Sequence, residues 1–363
     1  MSESPPATEA GKTSGSGSGQ EEKARRCATL LIRGGAGTGK STALRQRVAG
    51  LAGSDPAGPV GDQPLDPSRI AVIASTGRSA VAHRTQLEEI LPGPYESLSV
   101  FTWEELAGEI LRQHPIEAGL GPNFEVIGAA ERLAMLLARV DDLPLRDHQI
   151  RGNPAGLLRE LMIGIDRAKR EGTDGGDLAG LIEVHDRILA AADLIDQNEL
   201  PRIAATLLED QAIASQVVTR YPHLVIDELE DLHPARAALL KGLAAAGPES
   251  VTAAIDPSRA IYGPGAEERF RATFPDQEEI TLENAWRMSS VRIKAARAAL
   301  GPGPLPEGAW LASGDEGSVR YWRPVSPRAE AQAVAREVEH QIGAGTAPED
   351  LAVAVSAISN HGR

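Results

Sequence analysis

The sequence predicts an α/β protein: a parallel sheet carrying a phosphate-binding loop, interrupted by a helical insert and followed by a further α/β stretch. Three observations predict it. The run Gly34-Gly35-Ala36-Gly37-Thr38-Gly39-Lys40-Ser41-Thr42 lies between the apolar segment Ala28-Thr29-Leu30-Leu31-Ile32 and a helix-like pattern at Leu44, Val48 and Leu51. Short apolar runs recur at Ile70–Ala74, Leu98–Phe101, His223–Ile226 and Val251–Asp256, as the strands of a sheet buried on both faces do. From about Gly121 to Gln216 these runs give way to helical periodicity.

In chain order, residues 1–19 are Ser/Gly/Pro-rich without apolar periodicity and read as a disordered lead-in. Gly34, Gly39, Lys40 and Ser41 then fill the pattern G-x-x-x-x-G-K-[ST] in a strand–loop–helix context. Glycines let backbone N–H groups curl round phosphate oxygens, and the following helix adds a favourable dipole. Lys40 is placed for the β- and γ-phosphates and Ser41 for Mg²⁺. The stretch Gly34–Thr42 therefore reads as a nucleoside triphosphate site.

Ala52–Ser68 is a Gly/Pro/Asp-rich connector, and Ile70–Ala74 is a strand running into Ser75-Thr76-Gly77. After the strand at Leu98–Phe101, Thr102–Arg112 reads as a helix with Leu106, Ile110 and Leu111 inward. The insert shows apolar stripes at Leu133, Leu136, Leu137 and Val140; at Leu158, Leu161, Met162 and Ile165; and at Leu181, Val184, Ile188 and Leu189. Its basic stretch Arg167-Ala168-Lys169-Arg170 reads as a solvated face that phosphates could also meet. Residues 301–308 read as a linker, followed by a strand at Val319–Trp322, a helix carrying Ala331, Val334, Ala335, Val338 and Ile342, and a strand at Leu351–Val355.

Composition narrows the function classes. With 363 residues the chain has room for two or three domains. A formal net charge of −14 means that nucleic acid would be met by local basic patches and not by a global field. One cysteine, Cys27, excludes an internal disulfide framework, and the scattered histidines give no zinc spacing. No signal peptide or bilayer-length apolar run is evident, so a cytoplasmic location is expected, with no membrane partner.

A phosphate loop leaves Mg²⁺ half-held and the attacking water unoriented. Leu224-Val225-Ile226-Asp227-Glu228, an apolar strand ending in acids, is the expected complement. Asp227 is expected to hold Mg²⁺ and Glu228 to position or deprotonate water.

At Asp227-Glu228-Leu229-Glu230-Asp231 the chain resembles the UvrD/PcrA/Rep family of superfamily 1 DNA helicases, whose second motif reads D-E-x-Q-D. Ser75–Ala80 with Arg84 resembles the family's T-N-K-A-A…R motif, which implies that Thr76, Arg78 and Arg84 contact single-stranded DNA. Thr102-Trp103 is similar to the Thr-Phe of the next DNA-contacting motif, and Asp196–Leu200 echoes L-D-F-D-D-L. Asp256–Ala266 resembles D-x-x-Q-S-I-Y-x-[FW]-R-G-A, which places Tyr262 on the DNA path. Leu282–Arg287 resembles L-x-x-N-Y-R: Trp286 takes the adenine-stacking position and Arg287 that of the arginine reaching the γ-phosphate.

The resemblance implies a RecA-like motor domain at 20–112 and 217–285, a helical insert at 113–216, and the start of a second RecA-like domain at 286–363. It implies ATP and Mg²⁺ as cofactors, and single-stranded or partly duplex DNA as partner in repair or recombination. The sequence also departs from the family. Glu104 stands where the family has His, Glu230 and Arg259 replace two glutamines that couple nucleotide to DNA, Pro264 replaces a base-stacking aromatic, and Ala285 replaces Asn. The arginine before Gly265 is missing, and Gln20 is a loose match to the adenine-reading glutamine.

The family continues past the equivalent of Arg363 with more of the second domain and a second arginine finger, whose loss costs ~10³-fold or more in turnover. The expectation is an ATP-dependent helicase or single-strand translocase present as its N-terminal portion, weak or inactive alone. The alternative is a degenerate, ATP-binding structural or regulatory subunit of a helicase–nuclease complex of the AdnA type, with a second subunit as partner.

Overall fold

Alternation along the strands decides which helices cover which face of the sheet. The computed structural model describes residues 28–54, 64–91, 93, 98–145, 154–259, 265–300, 311–312 and 317–355. The expected lead-in at 1–19, Gln20, Cys27, Tyr262, Pro264 and the linker at 301–308 lie outside the described residues. In chain order, β1 (Thr29–Gly34) leads through the loop into α1 (Lys40–Leu51); β2 (Ile70–Ala74) precedes α2 (Gly77–Ile90), and β3 (Val100–Thr102) precedes α3 (Trp103–Gln113). The insert holds β4 (Glu125–Ile127), α4 (Ala129–Ala138), α5 (Pro154–Glu171), α6 (Ala179–Ala190) and β5 (Leu194–Asp196). Then come α7 (Leu200–Leu207), α8 (Gln211–Arg220), β6 (His223–Ile226), α9 (Pro234–Ala245), β7 (Ser250–Ile255), α10 (Ala266–Thr273) and β8 (Glu278–Leu282). The short β9 (Asn284–Ala285), α11 (Ser290–Leu300) and β10 (Leu311–Ala312) follow, and later α12 (Pro327–Gly343).

The main sheet has six strands in the order β3-β2-β6-β7-β1-β8, every neighbouring pair parallel. Successive side chains point to opposite faces. Leu31, Ile73, Leu224, Ile226 and Ala253 pack with Trp103, Leu106, Leu207, Val217, Leu239 and Phe270, so α3, α7, α8, α9 and α10 cover one face. Leu30, Ile32, Val72, Val225 and Ala254 pack with Leu44, Val48, Ala80 and Leu87, so α1 and α2 cover the other. This is the doubly covered parallel sheet expected from the sequence, consistent with a RecA-like motor domain.

The insert was expected to be all helical, yet β4 and β5 pair in parallel, Val126 opposite Ile195. Three-residue strands are too short to leave a period of their own. Leu136, Leu158, Leu161, Met162, Ile165, Leu181 and Ile188 form its core as the stripes require, while Leu137 turns outward. The solvated-face reading fails at Lys169, which is buried. Its Nζ lies 2.7 Å from Asp186 Oδ1, 3.1 Å from Glu199 Oε2 and 3.6 Å from Asp196 Oδ2. Burial works against its charge, but Glu199, Asp186 and Asp196 outweigh it and hold its pKa above the ordinary lysine value. Arg132, also buried, completes the cluster with Asp166 and Asp196.

The chain divides into two compact units, Met1–Asp315 and Glu316–Arg363. The second carries α12, started by Pro327 and by the Ser326 side chain, which accepts from Ala329 N at 3.2 Å. The strands expected at Val319–Trp322 and Leu351–Val355 do not form: both segments run without regular structure, and Tyr321, Trp322, Val353 and Val355 are exposed. A strand needs a neighbour's backbone groups, and none among the described residues pairs with either segment.

Removing the Lys169 ammonium leaves Asp196 and Glu199 buried without it. Lys169→Ala is expected to destabilise the chain by about 3–5 kcal/mol in urea unfolding. A loss below about 1 kcal/mol would show that the cluster carries no net constraint.

Candidate nucleotide site

The strand order converts motifs scattered over the sequence into a row along one edge of the sheet. From one end to the other, the carboxyl ends carry Thr102 (β3), Ser75 and Thr76 (β2), Asp227 and Glu228 (β6), Asp256 (β7), Gly34 and its loop (β1), and the segment leading from Leu282 to Arg287 (β8). Parallel strands lie about 4.8 Å apart, so Asp256 stands directly between the loop and the acids of β6. Sheets of this kind bind ligands beyond their carboxyl ends.

The loop depends on glycine at defined places. Gly37 (φ +76°) and Gly39 (φ +91°) occupy the left-handed region that disfavours side chains, and Gly39 caps α1. A Cβ on Gly34 would lie 2.5 Å from Thr38 Oγ1. Thr38 Oγ1 donates to Gly35 O at 2.9 Å, fixing the turn from within. Lys40 Nζ donates to Gly34 O (2.7 Å) and Gly35 O (2.8 Å) and lies 3.6 Å from Asp256 Oδ2. Trp286 N donates to Gly37 O at 2.9 Å, and the Arg287 side chain lies against Gly37, so the Leu282–Arg287 segment is docked on the loop. Trp286 is 62% exposed.

Asp227 is buried at the end of β6. Its Oδ1 accepts from Glu228 N (2.9 Å), and its Oδ2 lies 2.8 Å from His83 Nε2. Burial opposes its ionisation, but hydrogen bonds from His83 and Ser41 outweigh it and hold the carboxyl below its ordinary pKa. Glu228 adopts φ +54°, ψ +45°, which costs a non-glycine residue roughly 1–2 kcal/mol. Its Oε2 accepts from Ser79 Oγ at 2.7 Å, and its Oε1 lies 4.0 Å from Arg259.

Three departures from the resembled family have ionic partners: Glu230 and Arg259 face each other, and Glu104 meets Arg236. Glu230, 3% exposed, accepts from Asp256 N at 3.0 Å and lies 3.7 Å from Arg259. Burial pushes its pKa up to about 7, against the backbone hydrogen bond from Asp256. The half-exposed Arg259 does not reverse this, because solvent screens it. Glu104 pairs with the buried Arg236 guanidinium at 2.8 Å. Arg236 also donates to Ser75 O and Asp231 O at 3.3 Å, and Ser75 Oγ donates to Asp231 Oδ2 at 2.6 Å. One arginine thus ties the ends of β2, β3 and β6 together.

The donor set fits a magnesium nucleotide. Gly34 leaves no room for a Cβ, Asp256 Oδ2 is buried without a hydrogen-bond partner among the described residues, and Ser41 and Asp227 offer hard oxygen ligands in mutual contact. Among the described residues no group of three or more His, Cys, Asp or Glu is placed to hold a metal.

The candidate DNA residues divide. Thr76 and Arg78 are exposed at the start of α2, where Thr76 Oγ1 accepts from Ser79 N at 3.2 Å. Arg84 is half-buried and donates to Leu98 O at 3.0 Å. Thr102 is buried as the N-cap of α3, in a capping box with Glu105. Trp103 is 1% exposed in the core. The aromatic expected to meet DNA there instead belongs to the core that α3 shares with the sheet, with Leu31, Ile73 and Leu106. Tyr262 lies outside the described residues. Sequence reasoning missed His83, Ser79 and Arg236, each brought in by an element remote from its partner and carrying no motif of its own.

The sequence matches the family described as UvrD/REP helicase N-terminal domain over residues 18–270. It is similar to the protein named ATP-dependent DNA helicase PcrA in Staphylococcus aureus and in Staphylococcus epidermidis, 23% identical to each over 339 residues. Those matches cover 89% of this chain but 45% of each relative, so the chain spans about half their length. No helix among the described residues is long and apolar enough to cross a membrane.

Glu230 gives a pH prediction. With its folded pKa raised, its contribution to stability is full below the unfolded value near 4.5 and is lost as pH rises through about 7. Glu230→Gln keeps an acceptor for Asp256 N without the titration. Its stability relative to the parent chain should rise between pH 5 and pH 8 by up to about 3 kcal/mol. A pH-independent difference in thermal unfolding would contradict the buried-acid account.

Proposed function

The chain belongs to the UvrD/REP helicase family through its N-terminal domain, and from that premise we propose that it is the N-terminal motor portion of an ATP-dependent DNA helicase or single-strand translocase. The observation that carries the reading is the convergence of Lys40, Ser41, Asp227, Glu228 and Asp256 at neighbouring strand ends, with Trp286 docked on the phosphate loop. These residue types in this arrangement suit phosphoryl transfer from a nucleoside triphosphate to water, where catalysis is chiefly positioning and charge stabilisation.

In this reading the backbone N–H groups of Gly35–Thr42 bind the phosphates, and Lys40 leaves the Gly34 and Gly35 carbonyls for the β- and γ-oxygens. Ser41 and Asp227 hold Mg²⁺. When bound, that ion neutralises charge on the β- and γ-phosphates. Glu228 orients the attacking water and accepts its proton. Arg287 reaches the γ-phosphate, and the exposed Trp286 ring stacks on the adenine. Residues from 286 onward form the start of the second RecA-like domain. Thr76 and Arg78 contact single-stranded DNA at the far end of the same edge, and nucleotide turnover moves that strand in repair or recombination. The alternative of a non-catalytic helicase–nuclease subunit takes no support from the relatives, which are named as helicases.

Two variants test the reading. Lys40→Ala should weaken binding of a fluorescent ATP analogue with Mg²⁺ at least tenfold; unchanged affinity would refute the site. Arg78→Ala should weaken single-strand DNA affinity severalfold at matched salt and lower the salt slope by about 0.7. Undiminished affinity would remove Arg78 from the DNA path.

A further inference from the structure

We propose that Ser79 is a positioning residue that couples DNA contact to the hydrolytic carboxylate, through a chain of hydroxyls running from Thr76 to Glu228. The inference rests on the nucleotide and DNA roles proposed above and deepens them. Thr76 Oγ1 lies 2.9 Å from Ser79 Oγ, and Ser79 Oγ donates to Glu228 Oε2 at 2.7 Å. The chain begins at an exposed residue, passes through a half-buried one, and ends at the site.

Proton counting fixes its direction. A serine hydroxyl has one proton, and Ser79 gives its proton to Glu228, whose carboxylate only accepts. The hydrogen bond between the two hydroxyls is therefore donated by Thr76. Thr76 also has one proton. It cannot donate to Ser79 and to a DNA phosphate oxygen at once. A phosphate that captures the Thr76 hydroxyl removes the hydrogen bond arriving at Ser79, and in a chain of this kind each link polarises the next.

Glu228 is placed to respond. Its backbone is fixed by the left-handed φ and by the bond from its N–H to Asp227 Oδ1. Its side chain is held on one oxygen by Ser79, while the half-exposed Arg259 stands 4.0 Å from the other. With Ser79 donating, Oε2 is held toward α2. With Ser79 released, the same carboxylate is free to turn to water at the phosphate edge. Both ends lie in one network, so the effect runs both ways: nucleotide at the loop alters DNA affinity by the factor with which DNA alters nucleotide affinity.

That reciprocity gives a test requiring no turnover. The affinity of the chain for labelled oligothymidylate is measured by anisotropy at fixed salt, with and without a non-hydrolysable ATP analogue plus Mg²⁺. The ratio, and not either affinity, is the readout. The parent chain should show a ratio of about fivefold or more, in either direction. Ser79→Ala should bring it to within about twofold of unity, and Ser79→Thr, which keeps the hydroxyl, should retain most of it. A parent-like ratio in Ser79→Ala, or a ratio already near unity in the parent chain while both ligands bind, overturns the relay and leaves the proposed function standing. Failure of the parent chain to bind either ligand overturns the proposed function and the relay together.

Discussion

Parallel pairing of β6 with β7 and of β7 with β1 sets three carboxyl ends side by side, each carrying a group that the others need. Asp256 at the middle position faces Lys40 on one side and, through its backbone N–H, donates to the Glu230 carboxylate on the other. Without that order the loop and the acids would be unrelated features of the chain. The order itself rests on apolar burial on both faces of each central strand, which only residues such as Leu30 and Leu31, or Leu224 and Val225, supply.

Around this frame, charges occur as answered pairs. Glu230 and Arg259 replace two neutral residues of the resembled motifs and stand 3.7 Å apart. Glu104 replaces another and meets Arg236. Of these three only Glu230 is buried, where an ionised carboxylate costs several kcal/mol. Arg236 answers Glu104 directly, whereas Glu230 is accommodated by the hydrogen bond from Asp256 N and by a pKa raised to about 7. The pairings also redistribute the edge: Arg259 reaches toward Glu228 as well as Glu230, putting a guanidinium beside both carboxylates.

Much of this was legible in the sequence where chemistry demands a rigid pattern. The phosphate loop permits few residues at Gly34, Gly39 and Lys40, and β1, β2, β6 and β7 are buried on both faces and so read as continuous apolar runs. β8 did not read that way. Glu278 to Leu282 lies at the sheet edge with Glu279 and Thr281 exposed, so its signal is diluted. β4 and β5 were too short to register. Burial was the other blind spot: the charge of Lys169 predicted a solvated residue and the aromatic ring of Trp103 a surface contact, and tertiary packing placed both inside. His83 and Ser79 were invisible for a different reason: each meets an acid more than a hundred residues away, and no local pattern records such a meeting.

The central claim is that Gly34–Thr42 and Asp227 together form one magnesium–nucleotide site. A crystal structure of the chain with Mg²⁺ and a non-hydrolysable ATP analogue tests it most directly. The account predicts phosphates against the backbone of the loop, Lys40 Nζ moved from the Gly34 and Gly35 carbonyls onto them, and the cation on Ser41 and Asp227. Nucleotide bound elsewhere, or a Lys40 still held on those carbonyls beside a bound nucleotide, would contradict it.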